Sequence, residues 1–239
     1  MTAVILAAGL ASRLRPLTDN IPKSLIEVGG KALLQRNLES LKQNGVQRCI
    51  IVTGYLREMI ESFVYSLHLG IEIEFIHNPV FDQTNNNYSL WLARPAIDGQ
   101  GMLLLDADIL YDRRILQKIV SSPHDDALIM RASNSLGHEE IKCELDSEGV
   151  VVKIGKHIDA KLAAGESLGI EKFSRTTTTA LFATLSRRHI HNEFYEASFQ
   201  EVIDNGAKIF AVDSGGLPCM EIDTPDDLTT AEVLVKKLL

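Results

Sequence analysis

Val4-Ile5-Leu6-Ala7-Ala8 is an unbroken apolar run that ends at Gly9 and opens into a loop of small and basic residues. A strand that is apolar on both faces has to be covered on both faces, and this is how an interior strand of a parallel sheet reads. The rest of the first half keeps to that requirement. Residues 32–44 carry helical spacing through Leu33, Leu34, Leu38 and Leu41 and stop at Gly45, the residue that most readily ends a helix. A strand follows at 49–52, a helix at 57–67, and a strand at 71–76 with Glu72 and Glu74 on its wetter face. A short helix at 88–93, a strand at 102–105, a helix at 113–120 and a strand at 127–130 complete the series. Strands separated by helices pair in parallel through crossovers. The expected fold class is therefore α/β: a three-layer α/β/α sandwich on a mixed, mostly parallel central sheet.

The rhythm changes after about residue 131. Residues 144–154 read as a hairpin turning on Asp146-Ser147-Glu148-Gly149. A strand at 168–173, helices around 179–185 and 194–205, a strand at 208–212 and a closing helix from Pro225 follow. Thr176–Thr179 reads as a helix start. No repeat, low-complexity tract or linker interrupts the chain, so one domain over residues 1–239 is expected.

Charge and composition narrow the function classes. Lys and Arg number 24 against 32 Asp and Glu, a net charge of −8, and a chain this acidic repels nucleic-acid phosphates as a whole. The apolar runs fall well short of the ~20 residues that cross a bilayer. The opening Thr2-Ala3-Val4 has no basic lead, so no secretory signal is expected. Cys49, Cys143 and Cys219 form no C-x-x-C pair, against both a disulfide framework and a zinc site. A cytoplasmic protein that touches neither nucleic acid nor membrane is the expectation. No heptad pattern marks an interface, and homo-oligomerisation is left open.

The loop after the first strand reads Leu6-Ala7-Ala8-Gly9-Leu10-Ala11-Ser12-Arg13-Leu14-Arg15-Pro16-Leu17-Thr18, with Pro22-Lys23 further on. Ligands in open α/β sheets bind beyond the carboxyl ends of the strands, where this loop falls. Its free N–H groups can cradle phosphate oxygens, and Arg13 and Lys23 supply positive charge. The spacing is neither the dinucleotide G-x-G-x-x-G nor a P-loop. A strand ends in Asp106-Ala107-Asp108, and Glu221-Ile222-Asp223 precedes the last helix. Period-2 alternation places Asp106 with Asp108 and Glu221 with Asp223 on shared faces. Such oxygen ligands suit Mg²⁺. The amide run Asn85-Asn86-Asn87-Tyr88-Ser89 offers donors and acceptors to a ligand.

Together these residues resemble the signature G-x-G-[ST]-R-x-x-P-x-T…P-K of the nucleotidyltransferases that make sugar nucleotides and CDP-alcohols. Its second glycine is Ala11 here, and the loop is expected to hold only with Ala11 at negative φ. The resemblance implies a Rossmann-like nucleotidyltransferase fold, with residues 1–130 as the nucleotide-binding half and 131–239 as the acceptor-binding half carrying the last metal carboxylates. It implies Arg13 and Lys23 as catalytic residues. The nucleotide would meet Leu6, Ala7, Ala8, Gly9, Ala11, Ser12, Arg13, Lys23, Asn86, Asn87, Ser89 and Asp106. Asp108, Asp223 and Glu221 would hold Mg²⁺.

Asn-Asn-x-Tyr-Ser-Leu, with Asp106-Ala107-Asp108 and Glu221-Ile222-Asp223, is similar to the phosphocholine and 2-aminoethylphosphonate cytidylyltransferase branch. That implies CTP and a small phosphorylated acceptor, with pyrophosphate released. A cationic acceptor calls for an aromatic or acidic cradle, for which Tyr88, Glu171, Tyr195 and Glu196 are the candidates. Trp91 and Phe199 sit at spacings that suit a core. His189 and His191, two apart on a helix, point away from each other and carry no metal expectation. Two other readings stand beside this one. One is a sugar-1-phosphate or inositol-phosphate nucleotidyltransferase using UTP, dTTP, GTP or CTP, and the other a non-catalytic nucleotide-sensing domain.

Overall fold

In the computed structural model, which describes residues 1–97, 99–133, 136–188 and 192–238, the first apolar run is β1 (Thr2–Ala7). A small hairpin, β2 (Glu27–Val28) and β3 (Lys31–Ala32), leads into α1 (Leu33–Gln43). Then come β4 (Arg48–Thr53), α2 (Arg57–Ser66), β5 (Glu72–His77), α3 (Asn86–Leu92), α4 (Arg94–Ile97) and β6 (Met102–Asp106). The middle of the chain supplies β7 (Ile109–Tyr111), α5 (Arg113–Val120), β8 (Ala127–Ala132), β9 (Lys142–Leu145), β10 (Val151–Gly155) and β11 (Gly165–Phe173). It closes with α6 (Arg175–Arg187), α7 (Glu196–Asp204), β12 (Phe210–Asp213), β13 (Cys219–Glu221) and α8 (Pro225–Leu234).

The main sheet runs β10-β9-β11-β6-β1-β4-β5, with β8 also on β11 and β12 beyond β8. β6, β1, β4 and β5 are parallel, as the helical crossovers require. β11 returns antiparallel to both β6 and β8, and β12 lies parallel to β8. Side chains alternate across β1. Ala3, Ile5 and Ala7 join a core with Leu34, Leu38, Ile60 and Ile115 from α1, α2 and α5. Val4 and Leu6 join another with Leu90, Leu181 and Phe199 from α3, α6 and α7. The sheet therefore lies between two helical layers, the expected three-layer sandwich. Leu34 and Leu38 are wholly buried, each worth about 2 kcal/mol in area removed from water.

The helix at 113–120 and the 144–154 hairpin stand where the sequence puts them. In the hairpin turn Asp146 Oδ1 accepts from the N–H of Glu148 and of Val150. The short helix starts two residues before position 88, because Asn85 takes the cap position. The strand expected from 168 begins at Gly165, where pairing to both β8 and β9 replaces alternation as the organising force. Phe199 is core, as its spacing indicates. Residues 189 and 191 lie outside the described residues.

Two expectations are corrected. β6 ends at Asp106 and Asp108 sits in the turn before β7, so strand alternation does not place the pair. Asp108 is positioned instead by a second small sheet, in which β7 pairs antiparallel with β13. The other correction concerns Ala11, which has φ 49° and ψ 45°, the left-handed conformation of the glycine it replaces. That conformation costs roughly 1–2 kcal/mol in a residue with a Cβ. It is held by the Ala11 carbonyl, which accepts from Thr18 Oγ1 at 2.8 Å and from the Leu14 N–H at 3.1 Å.

Candidate active site

A cavity of about 430 Å³ opens beyond the carboxyl ends of β1 and β6. Its floor is the end of β1 and the loop after it, from Leu6, Ala7 and Ala8 through Gly9 and Ala11 to Ser12 and Arg13. Lys23 stands on one side, and Asn86 and Ser89 at the start of α3 on the other. Asp106, Asp108, Glu221 and Asp223 complete the wall. Of the twelve expected nucleotide contacts only Asn87 is absent from the lining. It is buried, and its Oδ1 accepts from Ser198 Oγ at 2.8 Å, joining α3 to α7.

Phe81, Asp82 and Thr84 also line the cavity and are not legible as site residues in the sequence. Their loop is organised by buried Asn78, whose Nδ2 donates to Thr84 Oγ1 (3.0 Å) and Ser89 Oγ (3.1 Å). Gly54 makes room for it, since a Cβ there would lie 2.6 Å from both the Phe81 Cβ and the Ala8 carbonyl.

Carboxylate oxygens of Asp108, Glu221 and Asp223 converge within 4.8 Å of one another. Lys23 Nζ lies among them, 2.6 Å from Asp108 Oδ2, 2.6 Å from Asp223 Oδ1 and 3.9 Å from Glu221 Oε1. Arg13 reaches Asp223 Oδ2 at 2.8 Å. Burial would lower the Lys23 pKa, but Asp108, Asp223 and Glu221 outweigh it and hold the ammonium well above the usual lysine range. Burial likewise opposes ionisation of Asp223, yet Lys23 and Arg13 keep it below the usual carboxylate range. Asp108 Oδ1 is buried with no hydrogen-bond partner among the described residues. An all-oxygen donor set with an unsatisfied buried oxygen fits a hard divalent cation.

Behind the wall lies a second acidic group. Tyr195 Oη donates to Asp106 Oδ2 at 2.8 Å, and the Tyr195 N–H donates to Asn86 Oδ1 at 2.8 Å. Glu171 and Glu196 are buried nearby, and Oε2 of each lacks a hydrogen-bond partner among the described residues. Burial, reinforced by the charge of Asp108, pushes the Asp106 carboxyl well above its usual range, against the bond from Tyr195. Burial beside Asp106 and Glu196 does the same to Glu171. Glu196 is pushed up to about 7 by burial, against its backbone N–H and Lys156.

Of the four expected acceptor residues, Glu171, Tyr195 and Glu196 thus gather beside Asp106, but all three are buried and none is among the described residues that line the cavity. Tyr88 does not join them; its ring stacks on Trp91 at 5.4 Å. Phe194, which does line the cavity, has Lys156 Nζ over its ring at 4.8 Å, and Lys156 pairs with Glu139 at 3.0 Å. Neither residue stands out in the sequence.

No helix among the described residues is long and apolar enough to cross a membrane. Residues 2–136 match the nucleotidyl transferase family model. The chain is 26% identical to the CTP:phosphoglutamine cytidylyltransferase of Campylobacter jejuni, covering 99% of this chain and 100% of that one. It is 29% identical to the CMP-5'-(3-aminopropyl)phosphonate synthase of Streptomyces rubellomurinus over 96% of this chain, but spans only 38% of that protein. The inositol-1-phosphate CTP transferase of T. maritima superposes with a TM-score of 0.83 at 24% identity, covering 98% of this chain and 95% of that one. The chain therefore belongs to the nucleotidyl transferase family, and cytidylyltransferases are among the relatives that match it along its full length.

Proposed function

We propose that this nucleotidyltransferase moves a cytidylyl group from CTP to the phosphate or phosphonate oxygen of a small amine-bearing acceptor, with Mg²⁺ as cofactor. Phosphocholine and 2-aminoethylphosphonate represent the acceptor class. The new bond forms between the acceptor oxygen and the α-phosphorus, the α–β bridging bond breaks, and pyrophosphate leaves. An ionised acceptor phosphate needs no general base, and the described residues that line the cavity include no histidine or cysteine.

The obstacle is charge. Two unit charges about 4 Å apart repel by about 4 kcal/mol at an effective dielectric near 20, and acceptor and triphosphate present several such pairs. Arg13, Lys23 and the N–H groups of residues 8–12 lie where they would offset that repulsion. Asp108, Glu221 and Asp223 would hold Mg²⁺, which when bound supplies further neutralisation and orients the phosphates. Asn86 and Ser89 would meet the nucleoside, and we assign the acceptor to the end of the cavity bounded by Phe194 and Asp106. Residues 1–130 would thus serve mainly the nucleotide and 131–239 mainly the acceptor.

One observation carries the acceptor class. Asp106, Glu171 and Glu196 are gathered behind that end, with two carboxyl oxygens lacking partners among the described residues, and a cationic acceptor would supply the opposite charge there, with N–H donors as well where it is a primary amine. The polyol of an inositol or sugar phosphate carries no positive charge to favour the ionised form of these carboxyls. The test is pyrophosphate release with Mg²⁺, crossing CTP, UTP, dTTP, GTP and ATP against phosphocholine, phosphoethanolamine, 2-aminoethylphosphonate, inositol-1-phosphate and glucose-1-phosphate. CTP with an amine phosphate or phosphonate is the expected pair. Preference for a sugar or inositol phosphate would overturn the acceptor assignment.

A further inference from the structure

The three converging carboxylates are not equally well anchored. Asp108 follows the core strand β6, and Glu221 is the last residue of β13, laddered to Ile109 of β7. Asp223 lies past the end of β13. The chain reaches it through Ile222, which is fully buried and donates its N–H to the Asp108 carbonyl at 3.2 Å. It must then turn into α8. That turn is held by Asp227, whose Oδ2 accepts from the Thr224 N–H and Thr224 Oγ1, each at 2.8 Å, and from the Asp223 N–H at 3.0 Å. The Asp227 N–H in turn donates to Thr224 Oγ1 at 3.2 Å.

A capping box needs only the reciprocal bonds between the cap residue and the third helical residue. The bond to the Asp223 N–H goes further, because it grips the backbone of a cation ligand at its free end. From this geometry we infer that Asp227 is a positioning residue for the cation site: its carboxylate fixes the backbone of Asp223 so that the Asp223 side chain meets Asp108 and Glu221. Asp227 is not among the converging carboxylates, so it acts through Asp223. The inference rests on the reading of Asp108, Glu221 and Asp223 as a divalent-cation site.

The test is Mn²⁺ titration of the full-length protein without nucleotide or acceptor, following the free-ion resonance. Asp227→Ala is expected to weaken Mn²⁺ binding about tenfold, in the range for loss of an outer-sphere partner. Asp227→Asn keeps an acceptor oxygen and is expected to restore binding to within about threefold of wild type by the same reasoning. Thr224→Val removes the hydroxyl cap but leaves the Asp223–Asp227 bond, so it should lower the melting temperature while changing Mn²⁺ binding far less. In turnover assays Asp227→Ala should raise the KM for Mg²⁺ more than it lowers kcat at saturating Mg²⁺. Where Asp227→Ala fails to fold, Asp227→Ser, too short to span all three bonds, takes its place.

Wild-type Mn²⁺ affinity in Asp227→Ala overturns the inference, as does an equal loss in Thr224→Val. Asp108→Asn separates the two levels. If it leaves Mn²⁺ binding intact, the cation site itself is misassigned; if it abolishes binding while Asp227→Ala does not weaken it, only the positioning role fails.

Discussion

The ammonium of Lys23 lies 2.6 Å from Oδ2 of Asp108, and Asp223 reaches the same nitrogen at 2.6 Å from its other side. A lysine so placed competes with a divalent cation for the same oxygens. Its other use, neutralising a triphosphate, requires it to give those oxygens up. Lys23→Met should therefore separate the two roles. We expect Mn²⁺ to bind the variant severalfold more tightly than wild type without nucleotide, while turnover with CTP falls by about 100-fold or more, the scale for losing one preorganised donor. Weaker Mn²⁺ binding in Lys23→Met would show that the lysine supports the cation site instead of contesting it.

Asp108 and Asp223 carry the cation assignment, and an amide keeps their shape while removing the charge. Asp108→Asn and Asp223→Asn are each expected to lower turnover by roughly 100-fold or more, with the melting temperature lowered. The fall follows because each change takes a charge partner from buried Lys23, and Asp223→Asn takes one from Arg13 as well. Turnover within a few-fold of wild type in both variants would remove the triad from the mechanism.

How far the site could be read from the sequence depended on whether its parts are local. β1 and its loop are contiguous, so the apolar run, Gly9, Arg13 and Lys23 announce a phosphate cradle without tertiary information. The Asp106 and Glu221 regions could be read as acidic strand ends. How they meet could not, because β7 and β13 are three residues each, too short to show a period. The Phe81–Thr84 wall depends on Asn78 and Gly54, whose roles exist only once β4 and the 78–85 loop are packed. The contact of Tyr195 with Asp106 joins residues 89 apart in the chain. Ala11 departs from the expected backbone for another reason: a steric preference of about 1–2 kcal/mol is offset by the two hydrogen bonds that pin its carbonyl.

Ala11 and Gly169 share a left-handed backbone, at φ 49° and φ 64°, and make opposite predictions. Ala11→Gly relieves strain while adding freedom to the unfolded chain, two terms of about 1 kcal/mol that nearly cancel. The melting temperature and the KM for nucleotide should both stay close to wild type. A Cβ at Gly169 would lie 2.6 Å from Asp106 Oδ2. Gly169→Ala should displace Asp106 from Tyr195, cost about 2 kcal/mol or more from strain and overpacking, and weaken acceptor use. A large KM change in Ala11→Gly, or a silent Gly169→Ala, would contradict this account of the loop and bulge.

Lys156 is a cation on the Phe194 side of the cavity with a loosely held partner. Glu139 is 78% exposed, and an ion pair with so exposed a partner is worth at most about 1 kcal/mol. Lys156 can therefore exchange Glu139 for an anionic acceptor at little cost. Lys156→Ala is expected to raise the KM for the acceptor about tenfold, a charge-assisted hydrogen bond's worth, with the KM for CTP unchanged. Equal effects on both substrates would place Lys156 on the triphosphate.

Glu196 gives the pH dependence its sign. Its folded pKa of about 7 lies above the ~4.3 of an unfolded glutamate, so the folded protein binds the extra proton between those values. Stability is then greatest below about pH 4.5 as far as this group is concerned, and falls as pH rises from there to about 7, by up to about 4 kcal/mol. Glu171 and Asp106, both raised, act in the same direction. Glu196→Gln should flatten part of that fall in melting temperature between pH 5 and 8. A cationic acceptor reverses the preference, because it needs the carboxylate ionised. Acceptor binding near pH 6 should release protons, seen as a calorimetric enthalpy that varies with the ionisation heat of the buffer, and kcat/KM for the acceptor should rise with pH through about 7. An enthalpy independent of buffer, with a flat acceptor profile, would place the amine away from Glu196.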